Sequence, residues 1–184
     1  MDMRKMGILI CLATLACGGK THHDVPFITS FSPTQAKVGS NVVISGGNFN
    51  STWNVSFGGI PAASFHVDGD NQISAIVPPN AISYLIELTN AAGVAGSHTR
   101  FIVMPVVGSY AVVSDPSATP AVIRVAGSGF YDTTGVAVGG VACAFTYNDQ
   151  NTLTVTVPSG VTGQVVVTAS GVDSTDAVSY PPAS

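Results

Sequence analysis

Charged side chains are scarce in this sequence, at 9% of 184 residues, against roughly a quarter in an ordinary soluble domain. Beyond residue 17, leucine occurs only as Leu85, Leu88 and Leu153, glutamate only as Glu87, and lysine only as Lys20 and Lys37. Helices are built largely from these residues, so their near absence excludes a helical protein. From Cys17 onward, four lysines and arginines stand against nine acidic residues, a formal charge of −5. The basic residues form no cluster, and without one the phosphate contacts that drive nucleic-acid binding are missing. No Gly-x-Ser-x-Gly elbow occurs, and neither catalytic residues nor a cofactor is expected. What is present is valine, threonine, serine, glycine and isoleucine, the composition of pleated strands joined by turns. Hydrophobic residues reach 46%, enough to build a core. The fold class is all-β.

The N-terminus reads as a processing signal. Arg4 and Lys5 precede an apolar stretch from Met6 to Ala16, followed by Cys17-Gly18-Gly19-Lys20. A basic start, a short apolar core and small residues at its end describe a secretory signal peptide. Such a stretch rises only ~16 Å as a helix, too little for a ~30 Å hydrocarbon core. Residues 1–16 are therefore expected to be removed and 17–25 to form a polar tether. Thr14-Leu15-Ala16-Cys17 resembles a bacterial lipobox, with Thr14 where that motif usually carries an aliphatic residue. On that reading Cys17 is the lipid-attachment residue, and Gly18 after it points to the outer membrane or cell surface. Ordinary cleavage near Ala16, with Cys17 incidental, is the alternative. On the lipobox reading Cys11 leaves with the signal, Cys17 carries lipid and Cys143 stays unpaired, so no disulfide framework is available. Cys143 is expected to be a small buried hydrophobe.

The body of the chain is a duplication. Val43-Ile44-Ser45-Gly46-Gly47-Asn48-Phe49 returns 81 positions later as Arg124-Val125-Ala126-Gly127-Ser128-Gly129-Phe130. Phe57-Gly58-Gly59-Ile60-Pro61-Ala62 returns at the same offset as Val138-Gly139-Gly140-Val141-Ala142-Cys143, and Ile73-Ser74-Ala75-Ile76-Val77-Pro78 returns 80 later as Leu153-Thr154-Val155-Thr156-Val157-Pro158. Each copy reads as short strands. Placing Arg124 outside forces Ile123 and Val125 inward, and the duplicate register does the same for Val42 and Ile44. Val55 and Phe57, with Val136 and Val138, form the next inward sets. The Gly58-Gly59 and Gly139-Gly140 pairs are turns. Ile73, Ala75 and Val77 match Leu153, Val155 and Val157, and Pro78 and Pro158 end that strand. Ile86 and Leu88 are placed opposite Val167 and Ala169 in the duplicate. Phe101 and Val103 close one copy, and Val178 and Tyr180 the other. Strands of this number and length predict two small sandwiches, joined through Met104-Pro105 at a restricted angle.

The first copy resembles the IPT/TIG domain, an immunoglobulin-like fold. The resemblance is carried by Pro26-Phe27-Ile28-Thr29-Ser30-Phe31-Ser32-Pro33, Gly39, Ile44 to Phe49, Val55 to Ala62 and Ile73 to Pro78. It covers 26–103. The second copy, 105–180, matches less closely: it opens with Asp115-Pro116-Ser117-Ala118-Thr119-Pro120 and has no glycine equivalent to Gly39. The resemblance implies no catalytic residues. It implies spacer, adhesive or ligand-binding modules on exported bacterial proteins, or DNA-contacting domains elsewhere, a role the charge argues against.

Few residues stand out as site candidates. His22-His23-Asp24 lies in the tether without fixed geometry, so no metal site is expected there. Asp68-Gly69-Asp70-Asn71, aligned with Asn148-Asp149-Gln150-Asn151, lacks the bidentate glutamate of an EF-hand and reads as a turn. Trp53, the only tryptophan, is expected to cap the end of the sandwich. Its alternative role is an exposed platform for a sugar face, with Tyr131 in the corresponding loop of the second copy. The leading expectation is a non-enzymatic surface module for binding, adhesion or spacing, with a protein or glycan partner. A structural component of a phage or other particle, and a glycan-binding accessory of a polysaccharide-utilisation system, are the alternatives.

Overall fold

Short runs in which every second residue is apolar can hide those residues only between two sheets, and both copies do so. The computed structural model describes residues 24–114, 119–176 and 178–181. The signal peptide expected at 1–16, Cys17, the tether up to His23 and the Asp115–Ala118 stretch lie outside these residues.

The first copy contains β1 (Phe27–Ser32), β2 (Gln35–Ala36), β3 (Asn41–Gly47), β4 (Asn54–Phe57), β5 (Ile60–Pro61), β6 (Ser64–Gly69), β7 (Gln72–Ile76), β8 (Ile86–Asn90), β9 (Gly93–Gly96) and β10 (Ile102–Val103). One sheet has the order β1-β3-β7-β6 and the facing sheet β5-β4-β8-β9, while β10 pairs with β2 in parallel. The second copy contains β11 (Val106–Val112), β12 (Ala121–Ser128), β13 (Thr133–Val138), β14 (Val141–Ala142), β15 (Ala144–Asp149), β16 (Thr152–Val157), β17 (Gly163–Ala169), β18 (Val172–Asp173) and β19 (Val178–Tyr180). Its sheets are β11-β12-β16-β15 and β14-β13-β17-β18, with β19 also on β17.

The inward sets are the expected ones. Val42, Ile44, Phe57, Ile73, Ala75, Ile123, Val125, Val138, Leu153 and Val155 are fully buried. Two separate cores result, one per copy. In the first, Phe101 meets Phe57 edge to face at 5.1 Å and Phe31 at 6.1 Å between ring centres. Gly58 and Gly59 have φ of 59° and 81°, and Gly139 and Gly140 have 56° and 81°, the left-handed pair of a two-residue hairpin turn.

The structure corrects one alignment. Val55 pairs with Leu88 and Phe57 with Ile86, whereas Val136 pairs with Val167 and Val138 with Val165. The counterparts of Ile86 and Leu88 are therefore Val165 and Val167, not Val167 and Ala169. The second copy is one residue shorter before β15 and one shorter again before β17, so the offset drifts from 81 through 80 to 79. The copies also end differently. The second shows no counterpart of β2 among its described residues, and β19 runs antiparallel to β17. Gly39, with φ of 83° and its N–H on Val77 O, belongs to the segment that has no such equivalent.

Cys143 is buried, with its N–H on Val136 O at 2.8 Å, the place that Ala62 fills against Val55 O in the first copy. Burial pushes its thiol pKa up, opposed by a hydrogen bond involving the Val138 backbone. A raised pKa leaves less thiolate, the reactive form, at any pH below it. In a leaderless Cys17→Ser chain, alkylation of Cys143 at pH 8 is expected to run at least about tenfold slower than in denaturant. Equal rates would show that the side chain is not held in the core.

Candidate functional site

Among the described residues, three side-chain polar contacts cross the junction between the copies. Lys37 Nζ lies 2.7 Å from Asp176 Oδ2, Asn151 Nδ2 donates to Asn80 Oδ1 at 3.1 Å, and Arg100 Nη2 lies 3.6 Å from Asp132 Oδ2. Lys37 precedes β3 and Asn48 follows it, so the junction and the free tip of the first module are separated by the length of that seven-residue strand.

The free tip is built by Asn48, Asn50, Ser51, Asp70 and Asp24, which line a polar cleft of about 170 Å³. Local hydrogen bonds shape it. Asn48, at φ of 62°, donates through Nδ2 to Val25 O at 3.0 Å. Asn90 Nδ2 donates to Asp24 O at 2.8 Å and to Ser51 Oγ at 3.2 Å, and Asn50 N–H reaches Asp70 Oδ1 at 3.4 Å. Asp24 and Val25, which the sequence places in the tether, are thus held to the module. Asp68 accepts from Ser74 Oγ at 2.6 Å and Gln72 Nε2 at 3.4 Å, and the Ser74 bond is the main reason its carboxyl sits below its ordinary pKa. Asp70 and Asn71 form the turn between β6 and β7.

Trp53 stands on this tip and does not cap the sandwich: 65% of its surface is exposed. The capping position is already filled by Phe49, which is fully buried. The Trp53 N–H is committed to Thr89 O at 3.1 Å, which pins the backbone at the entry to β4 and leaves the indole outside. Tyr131, 38% exposed, lies at the corresponding end of the second module, which faces the junction. The two aromatics are therefore not brought together. Sequence reasoning missed Tyr147, 43% exposed on β15. Its counterpart by register is Val67, which packs against the first core, and the change from valine to tyrosine at matched positions was the available signal.

Two β-sandwiches in tandem, one carrying an exposed indole and a polar cleft on its free tip, define a pair of immunoglobulin-like modules. The chain belongs to the IPT/TIG domain family, whose pattern matches residues 26–101 and 105–183. No curated protein matches the sequence. Among solved structures, it is similar to the surface glycan-binding protein PbSGBP-B from Prevotella bryantii, at 18% identity over 81% of this chain and 40% of that one, with a TM-score of 0.50. It is also similar to SGBP-B from a complex xyloglucan utilization locus in Bacteroides uniformis, at 20% identity over 83% of this chain and 48% of that one, TM-score 0.37. The extracellular region of plexin A4 matches at 16% identity over 84% of this chain and 18% of that one, TM-score 0.35. At 18% identity the likeness to PbSGBP-B shows the fold alone. The chain spans 40% and 48% of the lengths of the two glycan-binding proteins.

Proposed function

We propose that the chain is an exported, non-catalytic binding module that takes a glycan and is held at the cell surface by acyl chains on Cys17. The observation that carries this reading is the 65% exposure of Trp53. A small sandwich gains stability from every aromatic it buries, so an indole left outside serves contact with something else. Its flat apolar face matches the CH face of a pyranose ring, and the nearby amides, hydroxyl and carboxylates match sugar hydroxyls. The occurrence of the same fold in a surface glycan-binding protein supports the reading. The basic start, short apolar core and cysteine at 17 support export and anchoring.

Affinity electrophoresis of the mature protein in gels containing neutral polysaccharides tests the ligand. Binding is expected, and Trp53→Ala should weaken it about tenfold or more, the size of an interface hot spot. A wild-type chain that no polysaccharide retards would end the glycan reading. Intact mass tests the anchor: loss of residues 1–16 with added acyl groups is expected, and Cys17→Ser should leave the membrane fraction. A mass retaining Met1 would favour the particle-component reading instead.

A further inference from the structure

We infer that Tyr131 and Tyr147, with Asp132 and Asp149, form a second saccharide subsite at the module junction, suited to a neutral pyranose chain. The inference rests on the glycan reading but uses a surface remote from Trp53. The loop carrying Tyr131 is held against the turn after β15 by Phe130 N–H on Gln150 O at 3.1 Å. Two exposed phenols, 38% and 43% accessible, thereby share one end of the second module. The Tyr147 pKa is raised, by burial first and then by the charges of Asp149, Tyr131 and Asp132.

The first module contributes to the same edge. Arg100, whose Nη2 donates to Ser83 O at 2.6 Å, lies beside Asp132, and Asn80 accepts from Asn151. Asn151 N–H in turn holds Asp149 Oδ1 at 2.7 Å. Two further features mark this end. Asp132 and Ser170 both have positive φ, 58° and 50°, and are joined by Ser170 N–H on Asp132 O; such backbone is uncommon outside glycine and gathers at binding sites. Gln150 Oε1 and Ser170 Oγ are buried without a hydrogen-bond partner among the described residues, a state that native proteins seldom leave unused.

The first copy carries none of these groups. Asn50, Ser51 and Val67 occupy the positions of Tyr131, Asp132 and Tyr147, so the fold itself does not require them. Ring faces pair with pyranose CH faces, while the carboxylates, amides and Arg100 meet hydroxyls. The two carboxylates against one arginine disfavour an acidic glycan. The position also suits a long ligand. From Cys17 to Asp24 the chain spans at most about 25 Å, so an anchored molecule keeps the Trp53 tip near the membrane and the junction farther out.

Titration of the whole mature chain by calorimetry with neutral xylogluco-oligosaccharides and mixed-linkage gluco-oligosaccharides tests the inference. The double variant Tyr131→Ala, Tyr147→Ala is expected to bind at least about tenfold more weakly, and the double phenylalanine variant within about threefold of wild type. Alanine variants that bind as wild type, while Trp53→Ala loses affinity, would overturn the junction subsite and leave the glycan reading standing. A wild-type chain that binds none of the sugars overturns both. If the alanine pair does not fold, tyrosine emission of the Trp53→Ala chain, which has no other tryptophan, decides. A change on adding sugar supports the subsite, and no change removes it.

Discussion

Gly46→Ala is expected to lower the melting temperature of the first module by roughly 12–24 °C, whereas Gly47→Ala leaves it nearly unchanged. A Cβ at Gly46 would lie 1.8 Å from the Phe27 carbonyl oxygen and 2.7 Å from the tip of the Phe49 ring. Neither can yield. The carbonyl belongs to β1, paired against β3, and Phe49 is fully buried. Overpacking of this kind costs about 3 kcal/mol, and a domain of this size loses about 4–8 °C for each. A Cβ at Gly47 would meet only the end of the Phe27 ring, at 2.5 Å. That ring is 50% exposed and free to swing aside, so the change should stay within about 1 kcal/mol. The duplicate supports the contrast. Gly127 has the same two neighbours, Val106 O at 1.9 Å and Phe130 at 2.6 Å, while serine already occupies the position of Gly47 as Ser128. Equal melting temperatures for the two alanine variants would refute this account of the motif.

Phe101→Ala is expected to destabilise the first module by about 4 kcal/mol and to spare the second. Phe101 is fully buried and is the ring on which Phe31 and Phe57 converge. Its removal leaves a cavity that the paired strands around it cannot close, and the loss is a large part of the roughly 5–15 kcal/mol that holds a domain together. The two cores share no residue, and exposed ion pairs such as Lys37–Asp176 transmit little energy between them. Two built-in probes separate the modules. Trp53 emission follows the first, and in a Cys17→Ser chain without its leader Cys143 alkylation follows the second. The tryptophan transition should move to lower denaturant with the thiol transition fixed. If both moved together, the junction would couple the modules and they would not be independent.

Much of the fold was legible because its causes are local. Alternation at Val42, Ile44, Val55, Phe57, Ile73 and Ala75 sets which face of each strand is buried within a few residues, and a paired glycine dictates a turn without reference to the rest of the chain. The site was less legible. Trp53 and Tyr131 stood out by residue type, but their surroundings depend on neighbours far away in sequence. Asn90 reaches Asp24 across 66 positions and Lys37 reaches Asp176 across 139.

The sequence by itself determined an all-β chain, duplicated, with its inward residues, turns and strand ends in place, since each follows from a period of two or from backbone that glycine and proline allow or forbid. Only the tertiary structure decided three things. It matched Ile86 and Leu88 to Val165 and Val167 as counterparts in the duplicate, because two one-residue losses in loops shift the alignment without any local mark. It left Trp53 outside, because Phe49 fills the end of the core and a packed interior has room for one ring there. It put Tyr131 and Tyr147 at one end of the second module, because strand pairing and loop closure, rather than spacing along the chain, determine which exposed side chains share a surface.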